Sequence, residues 1–143
     1  MPTLKAGACA NYLNDWYRLN QQEKNYLLMN PWHLLAIKES ANKALNEAQS
    51  KFGAGSLHNG AGDAFRHCYW SALLARDIGP DAALAFTTAH EEKPGLPKTE
   101  IEMDLFNNRV GIEIGRQSVR ESDFIVASKC LNALTNKRLK VLK

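Results

Sequence analysis

Apolar residues along this chain recur at intervals of three and four rather than two, so the pattern predicts helices. Tyr12, Trp16 and Leu19 make one short stripe, and Tyr26, Leu27 and Leu28 a second. Asn30-Pro31 predicts a helix start, with Asn30 as cap and Pro31 at the first helical position. From there Leu34, Leu35, Ile37, Ala41, Ala44, Leu45 and Ala48 keep helical spacing until Gly53-Ala54-Gly55 breaks it. A loop through His58-Asn59-Gly60 feeds a helix from about Gly62 to Asp77, and Gly79-Pro80 separates it from another, Asp81 to Glu92. Lys93-Pro94-Gly95-Leu96-Pro97 cannot continue a helix. Thr99 with Glu102 reads as a capping box opening a helix to about Arg116. Ser122 or Asp123 starts the last one, carrying Phe124, Ile125, Ala127, Leu131 and Leu134. No segment alternates like a strand, and no repeat is present. The expectation is an all-α, single-domain bundle of five to seven helices spanning residues 1–143.

Composition adds bounds rather than direction. At 45% hydrophobic and 23% charged, 143 residues suffice for one core, and a net charge of +3 is too small to argue for nucleic acid. The excess sits in Lys137, Arg138, Lys140 and Lys143, read as a solvated basic tail over 137–143. Cys9, Cys68 and Cys130 lack metal-ligand spacing. Cys68 is expected as a buried thiol, and a Cys9–Cys130 bridge is conceivable without positive support. Residues 1–10 do not resemble a signal peptide, and no stretch is long enough to span a bilayer. The chain is therefore expected to be cytoplasmic or exported by a leaderless route; a fragment of a larger secreted protein would look the same.

What changes the picture is polarity at positions where the pattern expects a core. Asp63, His67, Trp70 and Leu74 share a helix face, so Asp63 and His67 turn inward with Trp70 and Leu74. His90 ends the apolar stripe of Ala82, Phe86 and Ala89, and Glu91 and Glu92 follow it. Asp104 precedes Asn108 by four residues on the side that carries Ile101, Leu105 and Ile112. Three consecutive helices thus bring polar groups to one seam between His58 and Asn108, and burying each costs about 1–3 kcal/mol unless it is paired.

Two chemistries fit that seam. Asp63 and His67 at i, i+4, completed by His90 and Asp104, make a mixed nitrogen and oxygen set that suits one divalent ion, zinc or manganese better than calcium. Glu91 would be the general base and Arg66 a clamp for an anionic substrate. In a metal-free version His67 or His90 is the base, and Asn107, Asn108 or Arg66 stabilises developing charge. A third reading is structural: a buried Asp–His–Asn network caps helices and fixes the register of a bundle. Gly53, Gly55, Gly60 and Gly62 are read as a flexible loop, a lid over His58 on the substrate side. His33, and the aromatic group Trp16, Tyr17, Tyr26 and Trp32, read as packing residues. There is no GxSxG to support a serine hydrolase.

The string His58-Asn59, Asp63-Ala64-Phe65-Arg66-His67, Trp70, His90-Glu91, Met103-Asp104-Leu105, Asn107-Asn108 and Gly111 resembles the signature of a poorly characterised bacterial family of all-helical domains. Together with the Asn30-Pro31 pair the likeness covers about Asn30 to Gly115. Members occur as small stand-alone proteins and as C-terminal modules of polymorphic-toxin-like proteins, which implies an envelope or interbacterial context but no particular reaction. A looser similarity is to the HD phosphohydrolases, with His67, His90-Glu91 and Asp104 in the metal-binding order. Glu91 stands where that family has aspartate, and its longer arm would shift the ion.

The reading that joins these is a small bacterial hydrolase, an antibacterial effector or toxin domain, with His67, His90, Glu91 and Asp104 as catalytic residues. Its substrate would carry a phosphoryl or other anionic group, as in a lipid, a cell-wall precursor or a nucleotide, held by His58, Arg66, Asn107 and Asn108. An immunity protein would be its natural partner. The alternative is a non-enzymatic binding module in which the cluster is a structural polar network. A site that opens into a cavity with unpaired polar atoms favours the first; a sealed, fully paired one favours the second.

Overall fold

A computed structural model describes Trp16 and residues 18–143, and every regular element among them is helical. The expectations for Cys9, Tyr12 and Tyr17 lie outside the described residues. Helix α1 spans Gln21–Met29, α2 Leu34–Lys51, α3 Ala61–Ile78, α4 Pro80–His90, α5 Lys98–Arg116 and α6 Asp123–Thr135, with 3-10 turns at Pro31–His33 and Ala54–Ser56. The all-α expectation of five to seven helices holds.

Helix α3 is the axis of the fold. Thirteen of its eighteen residues are buried, so it is not a one-faced amphipathic helix but a core helix wrapped by α2, α4, α5 and α6. Its tightest neighbour is α5, for a reason visible at Gly111 and Gly115. A Cβ on Gly111 would overlap the Cys68 carbonyl oxygen, and one on Gly115 would overlap that of Ala72. Each glycine meets a position one helical turn further along α3, so the two backbones touch along a seam. That contact carries Asp104 and Asn108, two turns and one turn before Gly111 on α5, onto α3 at His67 and Ser71.

Several local readings change. Asn30 does not cap the next helix. Its side-chain amide donates back to the Tyr26 carbonyl at 3.0 Å, Pro31 opens a 3-10 turn, and the α-helix begins at Leu34. The cap that sequence pattern offered unnoticed is Asn20, whose box with Glu23 has both hydrogen bonds, at 2.8 and 3.1 Å. Thr99 and Glu102 form no box, because the chain leaves Pro97 directly into Lys98 and Thr99 is already inside the helix. Ser122 does cap α6, accepting from the Ile125 amide.

The stripes rotate as well. On α2 the buried positions are Ile37, Ser40, Ala44 and Ala48, while Leu34, Leu35, Ala41 and Leu45 face outward. On α6 they are Val126, Ala127, Cys130 and Ala133, and Phe124 is exposed. Trp32, expected as packing, is 71% exposed.

The glycine loop divides in two. Gly60 and Gly62 are buried, and a Cβ on either would press on Ser56 or Leu57, so the entry to α3 is packed in place, while Gly53 and Gly55 are exposed with open space around them. The basic side chains Lys137, Arg138, Lys140 and Lys143 are exposed as expected, but the backbone of the tail is held. Asn107 grips the Lys140 backbone from both sides, donating to its carbonyl at 2.9 Å and accepting from its amide at 2.8 Å. Leu139 is buried, and the Leu142 and Lys143 amides donate to the Asn59 carbonyl. Cys68 and Cys130 are both buried free thiols, and their mutual contact together with burial pushes the Cys130 pKa up.

Candidate metal and acid–base centre

The site is built around one imidazole. His67 sits mid-way along α3, nearly inaccessible, with its two ring nitrogens facing different company. Nε2 lies 3.3 Å from Asp63 Oδ1 and 3.4 Å from Asp104 Oδ1. Nδ1 lies 3.3 Å from Asn108 Oδ1 and 3.6 Å from Glu91 Oε1. Asn108 in turn donates to Glu91 Oε1 at 3.1 Å, and its carbonyl oxygen accepts from the Ser71 hydroxyl at 3.0 Å.

Asp63 has a double attachment that explains its place in the third position of α3. One oxygen accepts the Asn59 backbone amide at 2.7 Å, fastening the helix start. The other faces His67 and accepts from Arg66 at 3.0 Å. Asn59 holds a left-handed φ of 62°, and its side chain donates to Glu100 at 2.6 Å, so this turn also ties α3 to α5.

Electrostatics leave the cluster short of positive charge. Three carboxyl groups, Asp63, Glu91 and Asp104, surround one imidazole and one guanidinium. Burial disfavours charge on His67, but the Asp63 hydrogen bond and the charges of Asp104, Glu91 and Asp63 outweigh it and raise its pKa. Burial would also raise Asp63, yet His67, the Asn59 amide and Arg66 hold that carboxyl well below the usual range. Asp104 goes the other way. Burial, with repulsion from Glu91 and Asp63, outweighs the attraction of His67 and pushes it up to about 6.

Two carboxylate oxygens, Glu91 Oε2 and Asp104 Oδ1, are buried without a hydrogen-bond partner among the described residues. The 3.4 Å contact of Asp104 Oδ1 with His67 is a charge contact that lacks hydrogen-bond geometry. Such atoms need a proton or a cation. Asp63, His67 and Asp104 each offer one ligand atom, all within 4.8 Å of one another, so the group could hold a metal ion. His67 would bind through Nε2, with Nδ1–H directed at Asn108 and Glu91, the arrangement that fixes the tautomer of metal-ligating histidines.

The sequence-predicted residues separate cleanly. Asp63, His67, Glu91, Asp104 and Asn108 converge. His90 does not join the ligand set: its Nδ1 pairs with Glu23 at 3.0 Å and its ring packs on Trp70, 4.9 Å between centroids. Asn107 lies on the tail side of α5, and Asn108 lies behind His67 rather than toward solvent. His58 is exposed and lines neither cavity near the cluster. Glu23 is the residue that sequence reasoning missed; its capping-box spacing from Asn20 was the available signal, and His90, Asn20 and Lys93 offset its burial to keep its pKa low.

The centre is not sealed. A cavity of about 140 Å³ is lined by Ala41, Ala44, Arg66, His67, Trp70 and His90. Ala41, Trp70 and His90 also belong to the wall of a larger groove of about 510 Å³ between α1, α2 and α4. No helix of the described residues is long and apolar enough to cross a membrane.

No solved structure matches the chain. The profile of one protein family matches residues 24–138, which include the six helices described above except the first turn of α1, and every side chain of the centre but Glu23. The chain therefore belongs to the family described as a domain of unknown function, DUF6973.

Proposed function

We propose that the protein is a small hydrolase that cleaves a phosphoryl ester, with one divalent cation held by Asp63, His67 and Asp104. The carrying observation is the pair of buried, partnerless oxygens on Glu91 and Asp104 beside an imidazole that forms the wall of an open cavity. With His90 withdrawn to Glu23, the ligand set has one nitrogen and two oxygens, which favours manganese over zinc. The cation would supply Lewis acidity and open positions for water and substrate. Arg66, on the cavity wall, binds the phosphoryl oxygens. Water oxygen bonds to phosphorus as the ester P–O bond breaks; Glu91 Oε2 takes the water's proton and returns it to the leaving oxygen. The setting that best suits such a domain is a bacterial effector or toxin.

A second reading rests on the Ser71–Asn108–Glu91 chain, which is buried and paired like a scaffold network. In that reading the protein is a binding module.

Purified wild type and Asp104→Asn would be assayed with manganese and zinc on p-nitrophenyl phosphate and bis(p-nitrophenyl) phosphate, alongside metal analysis. Metal uptake and hydrolysis, both lost in Asp104→Asn, are expected. Hydrolysis without metal uptake would leave the metal-free version, with His67 as base and Arg66 or Asn108 stabilising the developing charge. Wild-type rates no higher than the variant's on both esters would overturn the hydrolase. Expression in bacteria should slow growth for wild type and not for His67→Ala; equal growth would remove the toxin setting.

A further inference from the structure

The groove beside the centre names the kind of molecule that would reach it. We propose that the substrate is a phosphate monoester of a single alkyl chain, its head at His67 and Arg66 and its chain along the groove between α1, α2 and α4; this rests on the hydrolase reading above. Leu19, Leu27, Leu34, Ile37 and Phe86 give the groove an apolar wall, and its volume of about 510 Å³ is that of a small-molecule site. It adjoins the inner cavity at Ala41, Trp70 and His90, the three residues common to both walls. Trp70 itself carries a buried Nε1 donor without a partner among the described residues.

Charge agrees with the polarity of such a ligand. Arg18, Lys38 and Lys93 line the groove and Arg66, which holds Asp63, lines the inner cavity; among the described residues Glu23, paired with His90, is the one carboxylate on either wall. A nucleotide fits less well, because its base and ribose would leave polar groups against this apolar wall unpaired. An anionic head with an alkyl tail leaves none.

The test measures calorimetric affinity of the manganese-loaded full chain for butyl, hexyl and octyl phosphate, all kept below micelle-forming concentrations. Affinity should rise roughly fourfold per added methylene. Leu34→Glu places a charge on an exposed part of the groove wall and should cut the octyl-to-butyl ratio at least tenfold. His67→Ala should weaken all three ligands alike. A ratio near one in wild type, or no binding of any chain, overturns this inference, and the aryl phosphate assay then judges the hydrolase separately. A steep ratio with affinities indifferent to His67→Ala also overturns it, since the groove would then hold the chain without engaging the centre.

Discussion

His67 Nδ1 and Asn108 Oδ1 stand 3.3 Å apart, a contact that joins α3 to α5 and sets Nδ1 apart from the Nε2 side that faces Asp63 and Asp104. In the tautomer with its proton on Nδ1, the imidazole donates to Asn108 and leaves the Nε2 lone pair on the side of Asp63 and Asp104. Asn108→Leu keeps the branched outline, at somewhat larger volume, but leaves Glu91 Oε1 and the Ser71 hydroxyl without their partner. A loss of about 2–4 kcal/mol in urea unfolding is expected. Manganese affinity, read by calorimetry, should fall about 10–100-fold. Unchanged affinity in a folded variant would show that Asn108 does not orient His67.

The pH dependence of the metal-free protein follows from Asp104 and His67. Both bind protons more tightly in the fold, Asp104 at about 6 against an ordinary value of 3.8. For a group with a raised folded pKa, the stabilisation is complete below the unfolded pKa and is lost as pH rises through the folded one. For Asp104 that window runs from about 4 to 6, and for His67 it starts near the ordinary histidine value and extends above it. The metal-free protein should therefore melt higher at pH 5 than at pH 8, by an amount on the order of 1–3 kcal/mol. Asp63, whose pKa is lowered, stabilises above its ordinary value and loses that contribution only as pH falls further.

Manganese should reverse this slope. One divalent ion replaces the two protons on His67 and Asp104 with the same charge, so binding releases up to two protons. The melting-point gain on adding manganese should be large at pH 8 and small at pH 5. An equal gain at both values would mean that the ion binds elsewhere.

Gly111→Ala tests the seam. Alanine normally gains about 1 kcal/mol over glycine inside a helix. Here the added methyl would overlap the Cys68 carbonyl, so a net loss of about 2–4 kcal/mol is expected instead. Gly53→Ala, with open space around it, should be near neutral in the same denaturation experiment.

Asn107→Ala should free the tail without touching the centre. It removes two hydrogen bonds to Lys140, and trypsin should then cut at Arg138 and Lys140 at least several-fold faster than in wild type. Equal cleavage rates would mean that the Leu139 side chain, not Asn107, anchors the tail.

The sequence by itself determined the helices and most of the centre's membership. Three- and four-residue spacing fixes which residues share a helix face, and an inward polar residue in such a face is visible because burial is costly. That is why Asp63, His67, Asp104 and Asn108 were legible together. Caps were less legible, since Asn30 can bond backward as easily as forward and Thr99 follows a proline that starts the helix first.

Only the tertiary structure decided who meets whom. His90 and His67 look equivalent along the chain, yet Glu23 on α1 draws one away while α5 closes on the other. Asn107 and Asn108 are neighbours in sequence, but the turn of the helix sends one to the tail and the other behind the imidazole. The depth of the centre depends on Gly111 and Gly115, whose missing side chains matter only because α3 presents carbonyls there. Spacing along one helix can show a face; the distance to the facing helix is set by what both helices leave out.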